Sequence, residues 1–452
     1  MDTVAAKLAR LALGLKFDDL SEEVLKKAKQ MLLDTLGCAL GGYLSEPSMI
    51  TRSVVEAWGG VPEATIIGVG LRVPCNNAAL ANGVMVRYLD FNDVYPGRGH
   101  PSEILPTILA VGEKQHIDGR ELITTVALGY EIVMRIADAL PHPPGSQLRL
   151  YDPNTQGAFC APLVAGRLLG LTEEQMIKAV GISGSHNLAL IHAFRAGGQI
   201  TMMKAMGYGF AAQSGIMAAL MAREGLTGQG DVIEIYNEAA GGGAADELAR
   251  LADGEEKMKI MQTNIKQYAA EYMIHSPAEA LLKVLKEHPL QPDDVKEISI
   301  KIFKRAISQV RSYNPETREE ADHNMQYCLA VAFMEGDLGP DQFTREQWKD
   351  PKVREFMTKI KLSEDPEFTK LYPEASPALV EILTTKGDVY SAKVDDTKGR
   401  PKTPMTDEEI QAKFRKLAST LMEEGQIRKI IDTVYNLEAE PDTCNLMSLL
   451  TV

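Results

Sequence analysis

The spacing of apolar residues changes once along this chain, near residue 272, and that change limits what it can fold into. Before it the spacing is helical. In "LSEEVLKKAKQMLLDTLGCALGG", Val24, Leu25, Ala28, Met31, Leu32 and Leu36 recur on one helical face, and Ser21 is placed to cap. Leu20 and Leu25 sit at staple positions. "GLTEEQMIKAVGIS" repeats the logic, with Thr172 and Gln175 as a capping box. "GYGFAAQSGIMAALMAREGL" is rich in small residues, which predicts a helix packed closely against its neighbours. After the change, "DDVKEISIKIF" (Asp293 to Phe303) alternates apolar and polar residues as a half-buried strand does. "ALVEILTTKGDVYSAKV" reads as two strands joined at Lys386-Gly387-Asp388. "MTDEEIQAKFRKLASTLM" returns to helix, with Thr406 and Glu409 as its capping box.

A chain of 452 residues is too long for one compact core. The expected fold is therefore mainly α, in three stretches: a large all-helical domain over 1–272, a smaller α/β domain over 273–405, and a helical segment over 406–452. With 48 Lys and Arg against 62 Asp and Glu, the net charge of −14 repels nucleic acid and anionic membrane surfaces. An anionic substrate would need positive charge concentrated locally. The N-terminus does not read as a signal peptide, and no apolar run approaches ~20 residues, so the expected location is the cytoplasm. The five cysteines form no CxxC pair, which points to free thiols and away from a cluster or a structural zinc built on grouped ligands.

The stretch "YLDFNDVYPGRGHPSE" (Tyr88 to Glu103) carries the most chemistry. His100 precedes Pro101-Ser102, and a cap from Ser102 would place the imidazole at a helix's positive end, favouring a neutral, base-competent ring. Asp90 and Asp93, three apart, read either as a Mg²⁺ chelate or as one aspartate orienting a histidine, and the second reading is preferred. Lys204 reads from its spacing as a solvated lysine at a helix end. His275 precedes Ser276-Pro277, a helix start, and Tyr327 lies in an apolar helical segment as a core tyrosine would. His116, His142 and His288 read as surface residues, His186 and His192 as buried structural ones.

The order "YLDFND…GHPSE", "LPTILAVGE", "GYGFAAQSGIMAALMA", "AEALL" and "ADHNMQY" resembles the MmgE/PrpD family, over nearly the whole chain. That family includes 2-methylcitrate dehydratase, cis-aconitate decarboxylase and iminodisuccinate epimerase. The resemblance implies a helical domain with an α/β lid, a C-terminal helix packing back on the helical domain, and a homodimer. It also implies no metal or organic cofactor. Carried over by position, the catalytic residues would be Asp90, His100, Lys204, His275 and Tyr327, with Arg98, Arg195 and Lys204 binding a small polycarboxylate. The implied reaction is a cofactor-free dehydration of 2-methylcitrate or a related tricarboxylate, with decarboxylation or epimerisation of another polycarboxylate as the alternative. A non-catalytic scaffold is the reading from another class. Two positions depart from the pattern: Val94 stands where threonine is frequent, and Asp152 where some members have histidine.

Overall fold

A computed structural model describes residues 2–140, 153–186, 200–240, 257–309 and 314–452. The chain is mainly α, with a smaller mixed sheet in its second half. The capping signals at Ser21, Thr172 and Thr406 act where the sequence places them. Ser21 accepts the Val24 N–H ahead of helix Glu22–Gly42, and the Thr172–Gln175 and Thr406–Glu409 boxes both close.

Helices Cys75–Tyr88 and Met203–Arg223 pack backbone to backbone in the first half. A Cβ on Gly83 would lie 2.9 Å from the Gly209 Cα, so only glycine lets the two backbones meet there. That approach fixes where the C-terminal end of the first helix and the N-terminal end of the second come together, which is where the candidate site forms.

The sheet has the strand order Ile360–Glu364, Val295–Ile302, Ala378–Thr384, Val389–Val394. Its first pair is parallel and the other two are antiparallel. Val295–Ile302 begins two residues later than the alternation alone suggests, because Pro292–Asp294 forms a 3-10 turn closed by Gln291 and Asp294. Gly387 takes φ 95° in the turn between the last two strands, a conformation that favours glycine.

Two apolar cores result. One gathers the helices of the first half with Ile410, Phe414, Ile427, Ile430 and Leu446 from the end of the chain. The other joins the sheet to helices His275–Glu287 and Met325–Glu335. Leu89 and Phe91 belong to this second core although they follow a helix of the first. The loop carrying Asp90 is thus gripped on both sides. Among the described residues no helix is long and apolar enough to cross a membrane.

Candidate active site

Asp90 follows helix Cys75–Tyr88 with φ 49°, one of only two non-glycine residues of the described chain in the left-handed region. Its carboxylate is buried and ringed by cations. Arg87 lies 2.9 Å and Lys266 2.6 Å from Oδ1, and Lys204 2.9 Å from Oδ2. Burial pushes the carboxyl up, but Arg87, Lys204 and Lys266 together outweigh it and hold the group well below the usual carboxylate range.

Lys204 is the hub. Its ammonium also lies 2.8 Å from both oxygens of Asp322 and 3.3 Å from His323 Nδ1. It is buried, not solvated as its spacing suggests, because the glycine-mediated approach presses this helix end against the Asp90 loop. A cation at a helix's positive end is unfavourable alone, and the two carboxylates offset that. Asp90, Asp322 and His323 converge closely enough to hold a metal ion, and the Lys204 ammonium already lies among all three.

Asp322 and His323 sit between helices Arg318–Ala321 and Met325–Glu335. Arg318 binds this link to the Asp90 loop, donating to Asp322 at 2.7 Å and to the carbonyls of Tyr88 and Leu89. Burial would raise the Asp322 carboxyl, but Lys204 and then His323 bring it down to about 2. His323 Nδ1–H donates to the Asp322 carboxylate. Burial first and Lys204 second bring its imidazolium down to about 4, so the ring is neutral near pH 7.

His100 donates its Nδ1–H to the Asp93 carbonyl at 2.6 Å, which assigns Nε2 as the unprotonated nitrogen, 3.7 Å from Asp90 Oδ1. Burial, then Arg87 and Lys266, hold its imidazolium well below the usual histidine value. Its side chain keeps 12% exposure against 3% for Lys204, so it is the more accessible group. The neutral state expected from sequence is present, with a different cause. Ser102 does not cap: its N–H donates to the Asp93 carboxylate at 3.1 Å, and its hydroxyl accepts from Asn92. The aspartates divide their work. Asp93 caps the short Pro101–Ile104 turn and orients His100 through its backbone, while Asp90 takes the cations. They form no joint chelate.

The other expected residues lie at varying distance from this cluster. His275 opens helix His275–Glu287, and its Nε2–H donates to the Ala270 carbonyl at 3.2 Å. Lys266 donates to the same carbonyl, so His275 stands behind Lys266 and not against Asp90. Tyr327 gives its hydroxyl to the Gln342 carbonyl inside the second core, beside Phe343. Arg98 is 3.4 Å from Asp138 on the loop before His100. Val94 is buried and pairs through its backbone with Asn264. Arg195, Asp152, His142 and His192 lie outside the described residues. His186 is exposed, contrary to its expected burial, and bonds the Ile182 carbonyl and Ser214.

Sequence reasoning passes over Lys266, Asp322 and His323. Asp322-His323 was legible as an aspartate beside a histidine just before a helix cap, since Asn324 caps helix Met325–Glu335. Lys266 in "NIKQYAAEY" carries no such signal.

Among the described residues, the cations Arg87, Lys204, Lys266 and Arg318 pair with the carboxylates Asp90, Glu103 and Asp322, and Glu319 lies within electrostatic reach of Lys204 and Arg318. This concentration of cations inside a strongly acidic chain suits an anion, and two neutral histidines beside it can take up and return protons. The MmgE/PrpD N-terminal domain matches residues 6–243 and the MmgE/PrpD C-terminal domain residues 268–438, so this is a member of the MmgE/PrpD family. The cis-aconitate decarboxylase of Homo sapiens is 27% identical over 100% of this chain and 95% of its own length. The 2-methylcitrate dehydratase of Cupriavidus necator is 28% identical over 79% of this chain and 77% of its own, and that of Escherichia coli 25% over 76% and 74%.

Proposed function

We propose that this chain is a lyase that removes a proton beside a carboxylate of a small polycarboxylate and expels a hydroxyl as water, as in the dehydration of 2-methylcitrate to 2-methyl-cis-aconitate. The observation that carries the reading is His100, neutral and in a defined tautomer, with its unprotonated Nε2 beside a carboxylate held by lysines. Nε2 takes the proton from carbon. The electron pair forms the new double bond as the C–O bond breaks, and the departing oxygen receives a proton from the Lys204 ammonium, which His323 and Asp322 flank. No step requires a metal. Decarboxylation of cis-aconitate is the second reading, favoured by the decarboxylase relatives that cover the whole chain.

Chelator-treated protein offered 2-methylcitrate, citrate, cis-aconitate and iminodisuccinate separately, and followed by NMR, separates these readings. An unsaturated tricarboxylate from 2-methylcitrate supports dehydration. Itaconate from cis-aconitate replaces it with decarboxylation, and an inverted stereocentre in iminodisuccinate with epimerisation.

Because burial and two neighbouring cations hold His100 neutral, the acid limb of kcat/KM is expected well below pH 6.5. A limb at 6.5 would remove His100 as the base. The depressed histidines also have a stability sign. Between the unfolded value near 6.5 and the folded value of about 4 for His323, the unfolded chain binds the extra proton. Stability should therefore fall as pH drops through that window, by less in His323→Asn, measured as urea midpoints.

The chain also reads as a homodimer. Met203, Phe210, Met217 and Met221 expose an apolar stripe along one helix, beside Met49, Ile50 and Val54 of another. Thr51 meets Met206 between the two. Phe210→Glu is expected to shift the mass in light scattering from dimer to monomer, and an unchanged mass would exclude this face.

A further inference from the structure

We propose that His116, Asp442 and Cys444 form a binding site for a thiophilic divalent cation, Zn²⁺ in type, where the last helix of the chain meets helix Leu105–Gln115. Two elements build it. His116 ends helix Leu105–Gln115 in the left-handed conformation, φ 52°. Asp442 caps helix Thr443–Leu449, of which Cys444 is the second residue. His116 Nδ1 lies 2.8 Å from Asp442 Oδ2 and 3.4 Å from Cys444 Sγ, and one ligand atom from each residue falls within 4.8 Å of the others.

The donors are prearranged. Asp442 Oδ1 accepts the Cys444 N–H at 2.8 Å, which fixes the carboxylate and leaves Oδ2 toward the imidazole. Four of the five cysteines are buried and Cys444 alone is partly exposed, while the His116 side chain is 65% exposed. An ion can therefore reach all three groups and keep its fourth position for water. Tetrahedral Zn²⁺, with bonds of about 2.0 Å to nitrogen and oxygen and about 2.3 Å to sulfur, needs N–O and N–S separations of roughly 3.3 and 3.6 Å. The present distances require His116 to withdraw by about half an ångström, an easy motion for an exposed ring. Sulfur with imidazole selects Zn²⁺ over Mg²⁺ or Ca²⁺, which prefer all-oxygen shells.

An ion here would staple the chain's end to the helical domain across 326 residues of sequence, beside the existing bonds from Thr443 to the Ile117 carbonyl. That separation is why a search for grouped cysteines along the chain points away from zinc. The site is separate from the Asp90 cluster, since helix Leu105–Gln115, about 16 Å long, runs between His116 and the His100 loop.

The test is a titration of the chelator-treated full chain with Co²⁺ and with Zn²⁺. Co²⁺ should add a near-ultraviolet thiolate-to-metal absorption that Zn²⁺ displaces, and Zn²⁺ should raise the thermal midpoint. Cys444→Ser should lose the absorption. His116→Asn, which tolerates the left-handed backbone, should weaken Zn²⁺ binding by at least about tenfold, with circular dichroism unchanged in both variants. Absence of the absorption in the wild type overturns the proposal. So does its persistence in Cys444→Ser, an unchanged affinity in His116→Asn, or Mg²⁺ binding as strong as Zn²⁺.

Discussion

Lys204→Met is expected to abolish turnover and to lower folding stability by about 3–5 kcal/mol, the scale for removing one partner of a buried ion pair. Both effects follow from where the ammonium sits. It lies 2.9 Å from Asp90 and 2.8 Å from each oxygen of Asp322, and all three side chains are buried. Without it, Asp322 keeps Arg318 and Asp90 keeps Arg87 and Lys266, but the two carboxylates face each other with nothing between. One of them must then protonate or the segments must part. Lys204→Arg restores the charge but not the fit, since a planar guanidinium cannot present a single nitrogen to three acceptors. It should recover part of the stability and little of the activity. Urea unfolding of both variants checks this. A Lys204→Met chain as stable as the wild type would mean that the lysine does not bridge the carboxylates.

His100→Asn is expected to lower kcat by about 10²–10⁴-fold with KM little changed, the range for losing a positioned general base. Asparagine is the informative substitution because its side-chain N–H can still donate to the Asp93 carbonyl, as Nδ1–H does now. The loop keeps its anchor and only the basic nitrogen is lost. Circular dichroism and the urea midpoint should stay near wild type. A rate within a few-fold of wild type would move the base to His323, whose ring is also neutral and is held by Asp322.

Much of the fold was legible because it is local. The change in apolar spacing separates helix from sheet, the two capping boxes close where the sequence puts them, and small residues mark the close helix contact at Gly83 and Gly209. At the site, Asp90, His100 and Lys204 do meet. The rest depends on tertiary contacts that spacing does not carry. Lys266 reaches Asp90 across 176 residues, and Asp322 reaches Lys204 across 118. Within "ADHNMQY" the resemblance draws attention to Tyr327, yet the helix turns that side chain into the second core and leaves His323 beside Lys204. His275 was legible as a helix start, but only the shared Ala270 carbonyl reveals that it stands behind Lys266.

The most direct test of proton transfer at this cluster is solvent exchange. Chelator-treated wild type and His100→Asn would be incubated in D₂O with each of the four polycarboxylates, and deuterium followed by NMR. Wild-type protein is expected to place deuterium on a carbon beside a carboxylate of at least one of them, and His100→Asn to do so at least about a hundredfold more slowly. Exchange at equal rates in the two proteins, or none with any of the four, would contradict proton transfer by His100.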